Sequence, residues 1–265
     1  MTFALESVDM NIFTFDIETI PDIENGRKIL DLAVDLPDAE VAEVMFARQR
    51  EKNGSDFLPL HLHKIAAISV VLKTPTIFKV WSLGEIESQE KEILQRFFKG
   101  IEKYTPTLVT WNGSGFDLPV IHYRALLHGV AAPRYWETGN EDQTFRWNNY
   151  LNRYHYRHTD VMDVLAAYQP RANAPLDQIA VMLGLPGKMG MDGSKVWGNY
   201  LKGNIAGIRN YCETDVLNTY LVYLRFSLIQ GKINQEEYQK YCQETHEYLQ
   251  NSAQPHLIEF EQSWK

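Results

Sequence analysis

Near its start the chain carries Asn11-Ile12-Phe13-Thr14-Phe15-Asp16-Ile17-Glu18-Thr19, an apolar stretch interrupted by two carboxylates two residues apart. Its aromatic and β-branched residues make it a central β-strand. Alternation along a strand sends Phe13, Phe15 and Ile17 to one face and Ile12, Thr14, Asp16 and Glu18 to the other. Two carboxylates on one buried face repel each other and lose hydration, so the fold must bring a compensating cation to them. A divalent metal serves, provided the rest of the chain supplies further oxygen ligands. A lone Asp-x-Glu is more often a solvated strand edge, but here its neighbours are apolar on both sides.

Two later islands supply such ligands. Asn112-Gly113-Ser114-Gly115-Phe116-Asp117 follows a strand expected over 107–111 and opens a helix expected over 117–128. Taken alone, Asp117 reads as a carboxylate stabilised by a helix N-terminus, and Phe116 as plain core. The third island is Tyr211-Cys212-Glu213-Thr214-Asp215, within a long helix expected over 203–230. Tyr211 and Asp215 stand at i and i+4 and share one helix face. Such pairs are commonly exposed and inert. The stripe of Ile205, Ile208, Cys212, Val216 and Tyr220 argues that this face is at least partly buried.

Length and charge restrict the partners. At 265 residues the chain is long enough for a sizeable core, and without repeats or Ser/Gly linkers a single domain over 1–265 is expected. Its apolar runs fall far short of the roughly 20 residues that span a bilayer. The N-terminus shows no secretory signal. Cys212 and Cys242, both in helical segments without metal-ligand spacing, read as free thiols of a cytoplasmic protein. The net charge of −8 speaks at first against a nucleic-acid partner. Residues 1–60 hold 13 acidic and 5 basic residues, however, so the remainder is neutral, and residues 118–211 hold 10 basic against 7 acidic. A modest basic surface suits a catalyst that grips a few nucleotides and releases them.

Around the islands, Thr19-Ile20-Pro21 is expected to break the first strand. Residues 22–60 read as an acidic surface insertion packing over one edge, with one short helix over 41–50. Residues 64–73 and 76–81 form a strand pair. A helix is expected over 84–104, a strand over 158–161 with a helix to Tyr168, and a short helix over 175–183. The last 35 residues read as one helix and a tail. The outcome is an α/β fold, a mixed sheet with helices on both faces.

The order of the three islands, Asp-x-Glu on the first strand, Asn-x-x-x-Phe-Asp at a strand-to-helix turn and Tyr-x-x-x-Asp on a late helix, resembles the DEDD exonucleases with a tyrosine in the last motif. The chain is most similar to stand-alone 3′-5′ exonucleases related to the proofreading domain of family-B DNA polymerases. The phrases Phe15-Asp16-Ile17-Glu18-Thr19, Trp111-Asn112-Gly113 and Tyr220-Leu221-Val222-Tyr223-Leu224-Arg225-Phe226 carry the likeness over about residues 10–230. The resemblance implies a ribonuclease H-like fold, with a five-stranded mixed sheet flanked by helices. It implies two Mg²⁺ or Mn²⁺ ions held by Asp16, Glu18, Asp117 and Asp215, with Asp16 bridging and Asp117 acting through water. Tyr211 would orient the attacking water. Thr19 would meet the terminal 3′-hydroxyl, Asn112 sugar or backbone groups, and Phe116 the terminal bases. The implied substrate is single-stranded or frayed 3′ DNA, cut to nucleoside 5′-monophosphates. An exoribonuclease of the same subclass and a catalytically silent nucleic-acid-binding module are the alternatives; silent relatives usually lose a carboxylate, and this chain keeps all four.

Two regions stay open at this level. Residues 134–158 interleave Tyr135, Trp136, Phe145, Trp147, Tyr150, Tyr154 and Tyr156 with Arg134, Arg146, Arg153 and Arg157. They read either as a single-strand groove or as a loop covering the core. Asp160 and Asp163 read as structural carboxylates, with Asp160 the one closer to the site.

Overall fold

The computed structural model describes residues 11–265; the expectation about a secretory signal rests in part on residues outside that range. The elements in chain order are β1 (Ile12–Pro21), α1 (Ile23–Ile29), α2 (Asp38–Asn53), β2 (His63–Lys73), β3 (Phe78–Ser82), α3 (Glu90–Tyr104), β4 (Thr107–Thr110), α4 (Asp117–His128) and α5 (Pro133–Trp136). They continue with β5 (His158–Asp160), α6 (Val161–Leu165), α7 (Leu176–Met182), α8 (Val196–Leu201), α9 (Ile205–Ile229), α10 (Gln235–Gln250) and α11 (Pro255–Ser263). The five strands form one sheet in the order β3-β2-β1-β4-β5, with β1 at its centre. β1 runs antiparallel to β2 and parallel to β4, so the sheet is mixed, and the fold is ribonuclease H-like.

Strand alternation divides the core as the residue pattern requires. Phe13, Phe15 and Ile17 face α3 and α4, where Phe97 packs edge-on at 4.8 Å from Phe15 and 5.9 Å from Phe13. Ile12 faces the opposite layer, where Val216, Leu217 and Tyr220 of α9 pack with Leu249 of α10 and Leu257 and Phe260 of α11. α9 is therefore sandwiched between sheet and C-terminal helices, which explains why it is buried nearly all round. Among the described residues no helix is long and apolar enough to cross a membrane.

Several boundaries differ from expectation for local reasons. β1 continues through Thr19 and Ile20 to Pro21, because a register shift between Glu18 and Thr19 absorbs the irregularity and pairing with β2 resumes. α3 starts at Glu90 rather than Gly84: Gly84 adopts φ +73°, and Ile86 is left exposed. The helix after β5 stops at Leu165, where Ala167 and Tyr168 both take positive φ. The C-terminal segment breaks into two helices at Asn251, and Pro255, lacking an N–H, occupies the first turn of α11. α5 and α8 are short helices that the residue pattern did not single out. The helix expected over 41–50 lies within α2, and α1 precedes it. Val41 and Met45 of α2 form a small apolar cluster with Leu58 and Leu62, and Ile23 of α1 packs against it.

Candidate active site

The free edge of β1 creates the site. Pairing with β4 ends at Thr14, because the chain leaves β4 after Thr110 and turns into α4. The Ile17 N–H, between the two carboxylates, thus lacks a strand partner, and Asp117 Oδ1 accepts it at 3.1 Å. Asp117 is consequently bound to the first island directly, beyond any role at its helix N-terminus. The turn that delivers it is fixed by Asp160, whose carboxylate accepts the Asn112 N–H at 2.9 Å and the Ser114 N–H at 2.8 Å. Asn112 holds φ +66°, and its carbonyl accepts from Gly115 and Phe116. A Cβ on Gly113 would lie 2.4 Å from the Thr110 hydroxyl, so only glycine fits there. Asp160 is structural, and Asp163, paired with Arg153, caps nothing in the site.

α9 brings the third island across the same face. Cys212, one residue after Tyr211, places its Sγ 3.4 Å from the Asp16 carbonyl and 3.6 Å from Asp16 Oδ2. Ligand atoms of Asp16, Glu18 and Cys212 all lie within 4.8 Å of one another. Asp117 and Asp215 close the group electrostatically. Burial, then Asp117, Glu18 and Asp215 push the Asp16 carboxyl well above its ordinary range. Burial, then Asp215 and Asp117 do the same to Glu18, with Lys188 opposing. Burial lifts Asp117 to about 7 and Asp215 to about 6, the latter against the lowering influence of Tyr211 and Lys188. Asp16 and Glu18 therefore each sense the charge of Asp117 and Asp215. The Tyr211 phenol is raised far above its ordinary value by burial, then Asp215 and Glu18, and keeps its proton. Burial likewise keeps the Cys212 thiol protonated. Glu213, the remaining carboxylate of this island, is turned away: it accepts from the Ser82 N–H and hydroxyl and contacts His256 Nε2 at 2.8 Å.

The neighbours of Thr19 and Phe116 complete the site. His63 Nε2 lies 3.1 Å from the Leu58 carbonyl, which can only accept, so Nε2 carries the proton. Burial favours the neutral ring, and Nδ1 then accepts the Thr19 hydroxyl at 2.8 Å. Phe116 packs edge-on to His63 at 5.2 Å. A cleft of about 530 Å³ lined by Asn112, Ser114, Gly115 and Arg153 opens beside the turn. A second, of about 310 Å³, is lined by Tyr211, Thr214, Met191 and Lys195. A larger cleft, of about 970 Å³, lies against Asp22, Glu90 and Arg124 and includes none of the four carboxylates.

The aromatic segment 134–158 divides. Tyr135, Phe145 and Tyr150 are core residues, with the Arg157 guanidinium 3.7 Å over Phe145, whereas Trp147, Tyr154 and Tyr156 are exposed. Residue pattern alone missed Cys212, His63 and Lys188 as neighbours of the site. Cys212 was visible as a member of the third island and of the α9 stripe, read there as a free thiol with no contact to Asp16 expected. Lys188 stands between Gly187 and Gly190, and its strap is pinned by Asn218 to Gly187 and by Asp177 to the Lys188 N–H. That pairing has no sequence signal.

A central strand whose free edge gathers carboxylates from itself, from a strand-to-helix turn and from a late helix defines a ribonuclease H-like α/β protein of the exonuclease type. Residues 55–264 match the family described as a predicted 3′-5′ exonuclease related to the exonuclease domain of PolB, and the chain belongs to that family. Asn112, Phe116, Asp117, Tyr211 and Asp215 fall within the matched span, while Asp16, Glu18 and Thr19 precede it. The chain is 32% identical over 120 residues, 45% of its length, to DNA polymerase 1 of Sulfolobus acidocaldarius, covering 11% of that protein. It is 24% identical over 236 residues, 85% of its length, to the DNA polymerase epsilon catalytic subunit of Arabidopsis thaliana, covering 10% of it. The DNA polymerase epsilon catalytic subunit of Saccharomyces cerevisiae is 47% identical over 45 residues, 17% of this chain and 2% of that one. The chain thus spans about a tenth of the length of the first two relatives.

Proposed function

We propose that this chain is a metal-dependent exonuclease that removes nucleotides from single-stranded or frayed 3′ DNA ends and releases nucleoside 5′-monophosphates. The observation that carries the reading is the clustering of the Asp16 and Glu18 carboxylates, with Asp117 bonded to the Ile17 N–H between them and Asp215 near enough to raise both. Four carboxylates make a hard oxygen-donor set that fits Mg²⁺ or Mn²⁺, ions that prefer oxygen to the neighbouring Cys212 sulfur. Asp16, Glu18, Asp117 and Asp215 would hold the ions. When bound, such ions supply an activated water and stabilise the departing 3′-oxygen.

The chain's own groups do the rest. Tyr211, at i and i+4 with Asp215 on α9, would orient the attacking water by hydrogen bonding. Thr19 donates to His63, which leaves its oxygen lone pairs to accept a terminal 3′-hydroxyl. Asn112 is held in its strained turn to meet sugar or backbone atoms, and Phe116 offers a ring to the terminal base. DNA is favoured over RNA because the relatives above are DNA polymerases. The test is digestion of 5′-labelled DNA and RNA single strands with Mg²⁺, Mn²⁺ or chelator. A ladder shortening from the 3′ end of DNA, present only with metal, is expected. No shortening, or internal cuts, would overturn the reading; faster loss of RNA would turn it towards an exoribonuclease.

A further inference from the structure

Phe57, in the segment between α2 and β2, is 56% exposed although its ring packs against Phe116 and His63. Its ring centroid is 5.6 Å from Phe116 and 5.2 Å from His63. The three rings form one cluster, and both inner members join the site directly. Phe116 precedes Asp117 in the chain, and His63 holds the Thr19 hydroxyl next to Glu18. The segment is anchored there: Leu58 is buried among Val41, Met45 and Leu62, and its carbonyl meets His63 Nε2. Anchoring on one side leaves an open aromatic face on the other, beside Phe116 and held in place by Leu58.

We propose that Phe57 is a substrate-contacting residue that extends Phe116 into a stacking surface for the last bases of an unpaired 3′ end. The proposal rests on the exonuclease reading and names a feature of its substrate: the bases must be splayed from any partner strand to reach the ring. Base–aromatic stacking is tolerant of sequence, so the surface would grip any single strand and disfavour a fully paired terminus. Residues 22–60 would then be more than a cover over one edge, because their final stretch forms part of the substrate site.

The experiment uses the full chain with Mg²⁺ on labelled single strands that end either in normal nucleotides or in two abasic residues. Wild-type protein that leaves normal DNA untouched would refute the exonuclease reading itself. Given activity, Phe57→Ala should raise KM on the normal end by about 5- to 150-fold with kcat nearly unchanged. Wild type should lose at least that factor on the abasic end, where Phe116 loses its base too, and there Phe57→Ala should cause no further loss. Phe57→Leu keeps an apolar side chain against Phe116 but no flat face, and should behave as Phe57→Ala; Phe57→Tyr should restore wild-type KM. A KM within two-fold of wild type for Phe57→Leu, or an equal loss on both ends for Phe57→Ala, would overturn the inference while leaving the exonuclease reading intact.

Discussion

Replacing Asp215 by Asn removes one charge from the carboxylate group with almost no change of shape. Burial lifts the Asp215 carboxyl from its ordinary 3.8 to about 6. At alkaline pH the folded and unfolded forms both carry this charge, so the folded form is disfavoured by on the order of 3 kcal/mol, at about 1.4 kcal/mol per pH unit. The amide keeps part of the desolvation cost, so a gain on the order of 1–2 kcal/mol is expected for the variant in chelator. For a chain of this size that corresponds to a rise in Tm of roughly 2–8 °C. Added Mg²⁺ or Mn²⁺ should reverse the order, since an ion bound only by the folded form stabilises wild type and leaves the weakened site little changed. Thermal melts of both proteins, with chelator and with each metal, read the effect, and turnover should be abolished in the variant. A variant less stable than wild type in chelator would refute the repulsion argument. Equal metal-induced stabilisation of the two proteins would refute Asp215 as a ligand.

Tyr211→Phe should lower the single-turnover rate by about 10²–10⁴-fold with DNA affinity nearly intact, a smaller defect than that of Asp215→Asn; normal single-turnover cleavage would reduce the phenol to packing. The stability gained by Asp215→Asn in chelator should depend on pH in a defined direction. A raised carboxyl favours the folded form fully below its ordinary 3.8 and loses that contribution as pH rises through about 6. The two melting curves should therefore coincide near the lower value and separate above the higher; a constant gap across the range would show that repulsion is not its source. Arg124 is buried against the carboxylates of Asp22 and Glu90, joining the end of β1 to α3 and α4. Arg124→Met should cost about 3–5 kcal/mol in urea unfolding by leaving those carboxylates without their guanidinium, and a loss below about 1 kcal/mol on the same assay would contradict the buried-pair account.

How far the residues foretold the fold depended on whether local periodicity controlled each element. β1 was legible because its alternation assigns Phe13, Phe15 and Ile17 to one layer and Ile12 to the other without reference to any partner. α4 was legible at both ends, since Asp117 opens it and Gly129, at φ +60°, closes it. The convergence of Asp16, Glu18, Asp117 and Asp215 could be expected only from the order of the islands. The link that joins Asp117 to the Ile17 N–H depends on β4 ending early, which is a property of the sheet. Cys212 meets Asp16 because α9 crosses β1 at one particular place, and His63 meets Thr19 because β1 and β2 re-register across a bulge. The aromatic stretch was illegible for a different reason. Phe145 and Trp147 are two residues apart and equally apolar, yet one is fully buried and the other 79% exposed, a choice made by the irregular path between α5 and β5.

Anomalous diffraction from crystals grown with Mn²⁺ tests the proposed metal centre most directly. The account expects Mn²⁺ held among Asp16, Glu18, Asp117 and Asp215, and lost in Asp16→Asn. Well-ordered crystals with no manganese signal among these four carboxylates, or with the ion held elsewhere, would contradict it.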